Sequence, residues 1–194
     1  HLGDISIVEE MIHAAKENGA DYAKIQSMQS KDLNYRERFE KGLIEGGLIK
    51  CKKRPFNQEY QRLKNLDLTY DDHFKFLELC KKYKIKPMTT IFTRNRINLI
   101  KKMNLEYLKI SSFDCSSHAM IEDIISKVKS NIIVSTGGAY DSEIMNTVNI
   151  LKKAKRKFTL LHCISIYPTT PEVASLLRIK FLKKLSNSVG FSDH

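Results

Sequence analysis

The sequence is poorest in the features that would tie it to a membrane, a disulfide scaffold or a zinc module. No stretch approaches the ~18 consecutive apolar residues that suggest a membrane span. The opening residues HLGDISIVEE lack a basic region followed by an apolar core, so they do not read as a secretory leader. Cys51, Cys80, Cys115 and Cys163 stand far apart with no C-x-x-C pair. That argues against a zinc ribbon and a disulfide framework, and fits a reducing, cytoplasmic setting. No G-x-G-x-x-G follows any apolar run, which weakens a dinucleotide-binding sheet. Acidic residues are few: 22 Asp and Glu against 33 Lys and Arg leave a net charge of +11. The basic runs CKKRPF and LKKAKRK carry few interleaved aromatics. The second falls at the end of an expected helix, where cations are favoured in any case. A solvated basic surface or an anionic small-molecule substrate is therefore expected, and neither nucleic acid nor a membrane is expected as a partner.

What is present is an alternation of two periodicities over 194 residues, enough for one sizeable domain. The first residue is not Met, so the chain is expected to begin inside a longer one. Residues 4–18 read as a helix, capped by Asp4 or Ser6, with Val8, Met11, Ile12 and Ala15 on one face and Gly19 at its end. The strand DYAKIQSM follows. After a long intermediate stretch come a helix TYDDHFKFLELCKKY, with Tyr70, Phe74 and Leu77 on its stripe, and the strand MTTIF. Helical patterns over 94–103, 117–129 and from Asp141 or Ser142 onward are separated by the strands YLKISS, NIIVST and FTLLHCIS. Thr170 and Pro171 have the N-cap and first-turn order of another helix, and SVGF closes the series as a strand. Six strands, several apolar throughout, alternating with helices imply a parallel sheet buried on both faces. That suits a (β/α)₈ barrel or a doubly wound sheet. Residues 29–68 break the rhythm: about forty residues is too long for a plain loop, and a short helix with a lid or hairpin is expected there.

Polar residues gather late in each strand. Lys24 and Gln26 lie in the first, Thr89, Thr90 and Thr93 at the end of the second, and Lys109, Ser111, Ser112 and Asp114 at the end of the third. Ser135 and Thr136, followed by Gly137 and Gly138, close the fourth. His162, Ser165 and Tyr167 close the fifth, and Ser192, Asp193 and His194 the sixth. In a parallel barrel all strand C-termini share one face, which is where barrel enzymes hold their active sites. A single late Ser or Thr is explained by a wet loop. Two lysines flanked by apolar neighbours, as in YAKIQ and YLKIS, are not: burying an ammonium without an anion is costly. Lys24 and Lys109 together ask for a bound anion, with hydroxyls completing a phosphate site. His162, Cys163 and Cys115, within or beside apolar strands, are expected to be core, and His13, His73 and His118 to be on the surface.

The segments ENGADYAKIQS, YLKISSFD, NIIVSTGGAYDSEI, LLHCISIYPTTPE and VGFSDH resemble, in order and across the whole chain, the sialic acid synthase family. That family includes N-acetylneuraminate, legionaminate and pseudaminate synthases and proteins of spore-coat polysaccharide synthesis. The resemblance implies an α/β (β/α)₈ TIM barrel, present over 1–194 as an incomplete segment of about strands 2 to 7, with an insertion around 29–68. The first strand, the last strand, a second metal histidine and a C-terminal antifreeze-like domain are expected outside it. The implied reaction condenses phosphoenolpyruvate with an N-acetylmannosamine-like amino sugar, using a divalent metal, Mn²⁺ or Mg²⁺, in a cytoplasmic protein that is a homodimer when full length. Carried over, Lys24, Thr90, Lys109, Ser112, Ser135, Ser165 and Ser192 would face the phosphate and carboxylate. Gln26 and Tyr167 would shape the site, and His194 would be a metal ligand. Asp114 stands where the family often has Glu near the sugar. KISSFD replaces the commoner K-I-G-S-G-E, and Ser165 a common Asn; both departures bear on the choice of sugar. The rival readings are a Schiff-base aldolase using Lys24 or Lys109, and a sugar-phosphate binding barrel without catalysis.

Overall fold

A computed structural model describes residues 1–193. In chain order its elements begin with α1 (Ile5–Glu17), β1 (Tyr22–Ser27), α2 (Glu37–Lys41), β2 (Leu43–Glu45), β3 (Leu48–Cys51), α3 (Phe56–Lys64) and α4 (Tyr70–Lys82). They continue with β4 (Lys86–Ile91), α5 (Ile97–Met103), β5 (Tyr107–Ile110), α6 (His118–Lys127) and β6 (Asn131–Ser135). The last are α7 (Asp141–Lys153), β7 (Phe158–His162), α8 (Arg178–Leu185) and β8 (Val189–Phe191). The chain divides into two units: His1–Asp21 with Met28–Ile85, and Tyr22–Ser27 with the residues from Lys86 onward.

The first unit is built on α1 and α4. Asp4 caps α1 by accepting from the Ser6 amide at 2.8 Å, and the ring of His13 lies 5.0 Å from that of Tyr83. Thr69 and Asp72 form a reciprocal capping box at the start of α4: the Thr69 hydroxyl accepts from the Asp72 amide, and the Asp72 carboxylate accepts from the Thr69 amide at 2.7 Å. Two expected faces are corrected. Val8 and Ile12 are the buried residues of α1, whereas Met11 is exposed. The buried stripe of α4 is His73, Phe76, Leu79 and Cys80 rather than Tyr70, Phe74 and Leu77. His73 is therefore a core residue and not a surface one. Its Nδ1 donates to the Thr69 carbonyl at 2.7 Å, which removes the penalty of burying an imidazole. The intermediate stretch does carry a short helix and a hairpin. In the latter, β2 and β3 pair antiparallel around Gly46 and Gly47, both at positive φ, as a tight primed turn requires. Ser30 anchors the stretch by donating its amide and hydroxyl to Asp67.

The second unit contains one six-stranded sheet in the order β1-β4-β5-β6-β7-β8, every neighbouring pair parallel. Strand order in the sheet follows chain order without reversal. That is the singly wound progression of a (β/α)₈ barrel and not the switch-point order of a doubly wound sheet, so the fold is the incomplete barrel expected. On one face Leu108, Ile110, Ile132, Val134 and Leu160 have no accessible surface. The helices of the same unit bury Ile100, Ile121, Ile124, Ile144, Leu151 and Leu182 just as completely. Two helix starts differ from expectation. The N-cap of α7 is Tyr140, whose amide donates to Glu143 at 2.8 Å, rather than Asp141 or Ser142. Pro171 opens only a turn, with the Ala174 amide bonded to its carbonyl, and the helix proper begins at Arg178. Ser175 breaks the path at φ 48, and the Ala174 carbonyl accepts from buried His162 Nε2 at 2.7 Å instead of serving a helix ladder.

Candidate functional site

Parallel register decides which side chains share the other face of this sheet. Gln26 pairs with Thr90, and Thr90 with Lys109, placing the three in one row across β1, β4 and β5. Lys24 lies one pleat earlier, level with Met88 and Tyr107. Lys109 continues the row to Ile133 on β6. By alternation Ser135, Leu161, Gly190 and Ser192 fall on this same face.

The two lysines are brought together. Lys24 keeps a largely solvent-accessible side chain, yet protein crowds its ammonium. Desolvation, with the like charge of Lys109 as the second cause, lowers its pKa from 10.5 to about 8. Desolvation also lowers the pKa of Lys109, partly offset by Cys163. Lys109 Nζ donates to Ser192 Oγ at 3.4 Å, a long and weak bond. Neither ammonium has a carboxylate within ion-pair reach among the described residues. Like charges repel, so the two ammonium groups make this face a region of positive potential.

The hydroxyls around them are not polar because they are wet. Thr90 and Ser135 are each 3% exposed. Ser135 Oγ is buried with no hydrogen-bond partner among the described residues, an arrangement disfavoured by about 1–3 kcal/mol. Ser112 Oγ accepts from the Gly137 amide at 3.1 Å and lies 2.9 Å from Cys163 Sγ. Gly137 has to be glycine here: a Cβ would lie 2.7 Å from Cys163 Sγ and 2.9 Å from the Cys163 carbonyl oxygen. Such close backbone approach is a recurrent use of glycine.

The remaining expected residues are spread more widely. Asp114 is buried and accepts from Ser111 Oγ at 2.6 Å and Ser117 Oγ at 3.4 Å. Desolvation raises its pKa against the pull of those two bonds. Gln26, Ser165 and Tyr167 are exposed. Ser165 Oγ sits 3.8 Å from where a Cβ on Gly138 would stand. His194 lies outside the described residues. Among those residues no three His, Cys, Asp or Glu side chains gather as a metal site.

Residues 11–194 match the NeuB family. The chain belongs to the NeuB family. The N,N'-diacetyllegionaminic acid synthase of Campylobacter jejuni is 30% identical to it, over all of this chain and 58% of that protein. The pseudaminic acid synthase of the same species is 32% identical, over all of this chain and 55% of that protein. Among solved structures, the N-acetylneuraminic acid synthetase of Leptospira borgpetersenii, in complex with citrate, superposes with a TM-score of 0.83. It is 30% identical, over all of this chain and 61% of that one. The chain thus spans little more than half the length of the relatives it matches.

Within this NeuB-family chain, one member of the site escapes sequence reasoning. Cys163 is buried, as a core residue should be, but its thiol also lies against Ser112 and Gly137 on the lysine face. The signal was available: Cys163 is two residues beyond Leu161, so strict alternation aims it at the lysine face while His162 points away. His162 does so, stacking on Phe191 at 5.7 Å.

Proposed function

We propose that the full-length protein condenses phosphoenolpyruvate with an N-acetylmannosamine-like sugar, giving a nonulosonic acid and inorganic phosphate. The observation that carries this reading is the pair of ammonium groups, Lys24 and Lys109, on one sheet face with no carboxylate among the described residues to neutralise them. Membership of the NeuB family supports it, as do relatives named for legionaminic, pseudaminic and N-acetylneuraminic acid synthesis. The Leptospira relative is a complex with citrate, itself a small polyanion.

Phosphoenolpyruvate brings a phosphate and a carboxylate, and each negative charge relieves the repulsion between the two ammonium groups. In the reaction C3 of phosphoenolpyruvate bonds to the aldehyde carbon of the open-chain sugar. Water adds at C2, and the C2–O bond breaks so that phosphate departs with the electron pair. Lys24 and Lys109 stay non-covalent throughout and hold charge that is present from substrate to product. Thr90, Ser112, Ser135, Ser165 and Ser192 donate to the anion, which supplies Ser135 Oγ with the acceptor it lacks. Gln26 and Tyr167 shape the site, with Asp114 near the sugar. A divalent metal, Mn²⁺ or Mg²⁺, would act as Lewis acid on the aldehyde. His194 would be one of its ligands.

Lys109→Ala in the full-length protein is expected to reduce phosphoenolpyruvate-dependent phosphate release by about 10²–10³-fold, with far-UV circular dichroism unchanged. Normal turnover in that variant overturns the reading. One observation favours a Schiff-base aldolase instead: Lys24, with a pKa near 8 and a second cation nearby, is a plausible amine nucleophile. Borohydride separates the two, since a reduced substrate adduct on Lys24 or Lys109 is compatible only with the aldolase.

A further inference from the structure

The basic run LKKAKRK, idle in the function proposed above, lines a cavity of its own. Three of its cations, Lys152, Arg156 and Lys157, join Lys184 around a cavity of about 500 Å³ that includes neither Lys24 nor Lys109. Its walls come from the first residues of β5, β6 and β7, the ends of α7 and α8 and the turn before β8, and among the described residues no carboxylate lines it. Arg156 is pinned: its Nη2 donates to the Val128 carbonyl at 2.7 Å and the Ser130 carbonyl at 2.6 Å. That leaves its Nε and Nη1 donors uncommitted. The ammonium groups of Lys152, Lys157 and Lys184 have no ion-pair or hydrogen-bond partner among the described residues. Ser186 holds the rim by donating to the Ser188 carbonyl at 3.0 Å, and the Thr159 and Ser188 hydroxyls are joined at 2.8 Å.

Helix ends explain part of this charge. Lys152 is in the last turn of α7 and Lys184 in the last turn of α8, where cations are favoured. A helix C-terminus carries only about half a negative charge, however. Two such ends offset roughly one of the four positive charges, leaving an excess of about three. The volume lies in the range of small-molecule sites. The aromatic rings of Tyr107 and Phe158 provide an apolar wall among the cations.

We infer that this cavity binds a small phosphorylated metabolite of nucleotide size, separately from the lysine face. Adenosine monophosphate is the probe, titrated calorimetrically into full-length protein at low ionic strength, with adenosine in parallel. Saturable binding of the monophosphate and none of adenosine are expected. Binding should persist in Lys109→Ala. It should weaken tenfold or more in the triple variant Lys152→Glu, Lys157→Glu, Lys184→Glu, whose turnover without the nucleotide stays within twofold of the parent. The milder pair Lys157→Gln, Lys184→Gln, chosen to preserve folding, should weaken it about threefold. The inference is overturned if the monophosphate does not bind, if adenosine binds as well, if Lys109→Ala abolishes binding, or if the charge variants leave it unchanged. It also falls if a short single-stranded RNA binds the same residues more tightly, with the steep salt dependence of a polyphosphate backbone.

Discussion

The two faces of the six-stranded sheet treat polar groups in opposite ways. On the face of Ile110, Ile132 and Leu160, the few polar side chains are paired. Ser27 Oγ and Thr89 Oγ1 lie 2.8 Å apart, Thr89 also donates to the Ile25 carbonyl, and His162 donates to Ala174. On the opposite face Lys24 has no counter-charge and Ser135 Oγ has no partner among the described residues. A protein selected for stability alone would have paired or removed such groups, because burying them uncompensated opposes folding. The difference separates the side of the sheet that holds the fold from the side on which the proposed anion site lies.

Large-to-small substitution on the two faces should expose that asymmetry most strongly. Ile132→Ala is expected to destabilise the full-length protein by about 2–5 kcal/mol, whereas Ile133→Ala, next in sequence but half-buried on the lysine face, should cost well under half as much. Denaturant unfolding of both variants measures the gap, and equal losses would remove the distinction. Gly137→Ala comes next. Overpacking against Cys163 should lower stability by about 1–3 kcal/mol, and it should lower phosphate release further by displacing Ser112. A variant with full activity would show that the close approach is dispensable.

Titration sharpens the comparison. Lys24 has its pKa lowered to about 8 in the folded protein. Below pH 8 it is protonated in both folded and unfolded states, and the folded state bears the unfavourable charge. Between about 8 and 10.5 the unfolded chain holds the proton and the folded chain releases it, so stability from this group rises with pH. Lys24→Met should abolish that rise and stabilise the free protein at pH 7 by no more than about 1 kcal/mol, since the side chain as a whole remains accessible enough for water to screen its charge. In the parent, apparent affinity for phosphoenolpyruvate should fall as pH passes 8, because the neutral amine no longer attracts it. A KM independent of pH from 7 to 9.5 would remove Lys24 from the anion site. The smallest effect is expected at the hydroxyls: Ser27→Ala should lose about 1 kcal/mol, while Ser135→Ala is neutral or slightly stabilising and weakens substrate binding. Equal stability losses at the two serines would mean that Ser135 is satisfied after all.

Much of this was legible in the residues. All six strands sit where apolar runs lie between helical patterns, because burial on both faces leaves a continuous hydrophobic signature. The lysines stood out because YAKIQ and YLKIS place a cation where a core residue belongs. Less legible were features set by contacts distant in the chain. His73 looked like a surface residue of a helix, but it is buried with its Nδ1–H donated to the Thr69 carbonyl. Thr170 and Pro171 promise a helix that Ser175 and the demand of His162 for the Ala174 carbonyl defer to Arg178. Cys163 looked like packing alone because nothing local announces Ser112 and Gly137 against it.

The sequence by itself determined the order of elements, the parallel sheet they build and the identity of the two cations, since periodicity and the aversion of charge to apolar surroundings act locally. Only the tertiary structure decided that strand order runs without reversal, that Gln26, Thr90 and Lys109 fall in one row, and that Lys24 lies near enough to Lys109 to feel its like charge. Register between strands far apart in the chain is chosen by packing of the whole sheet, and no short stretch of residues contains that information.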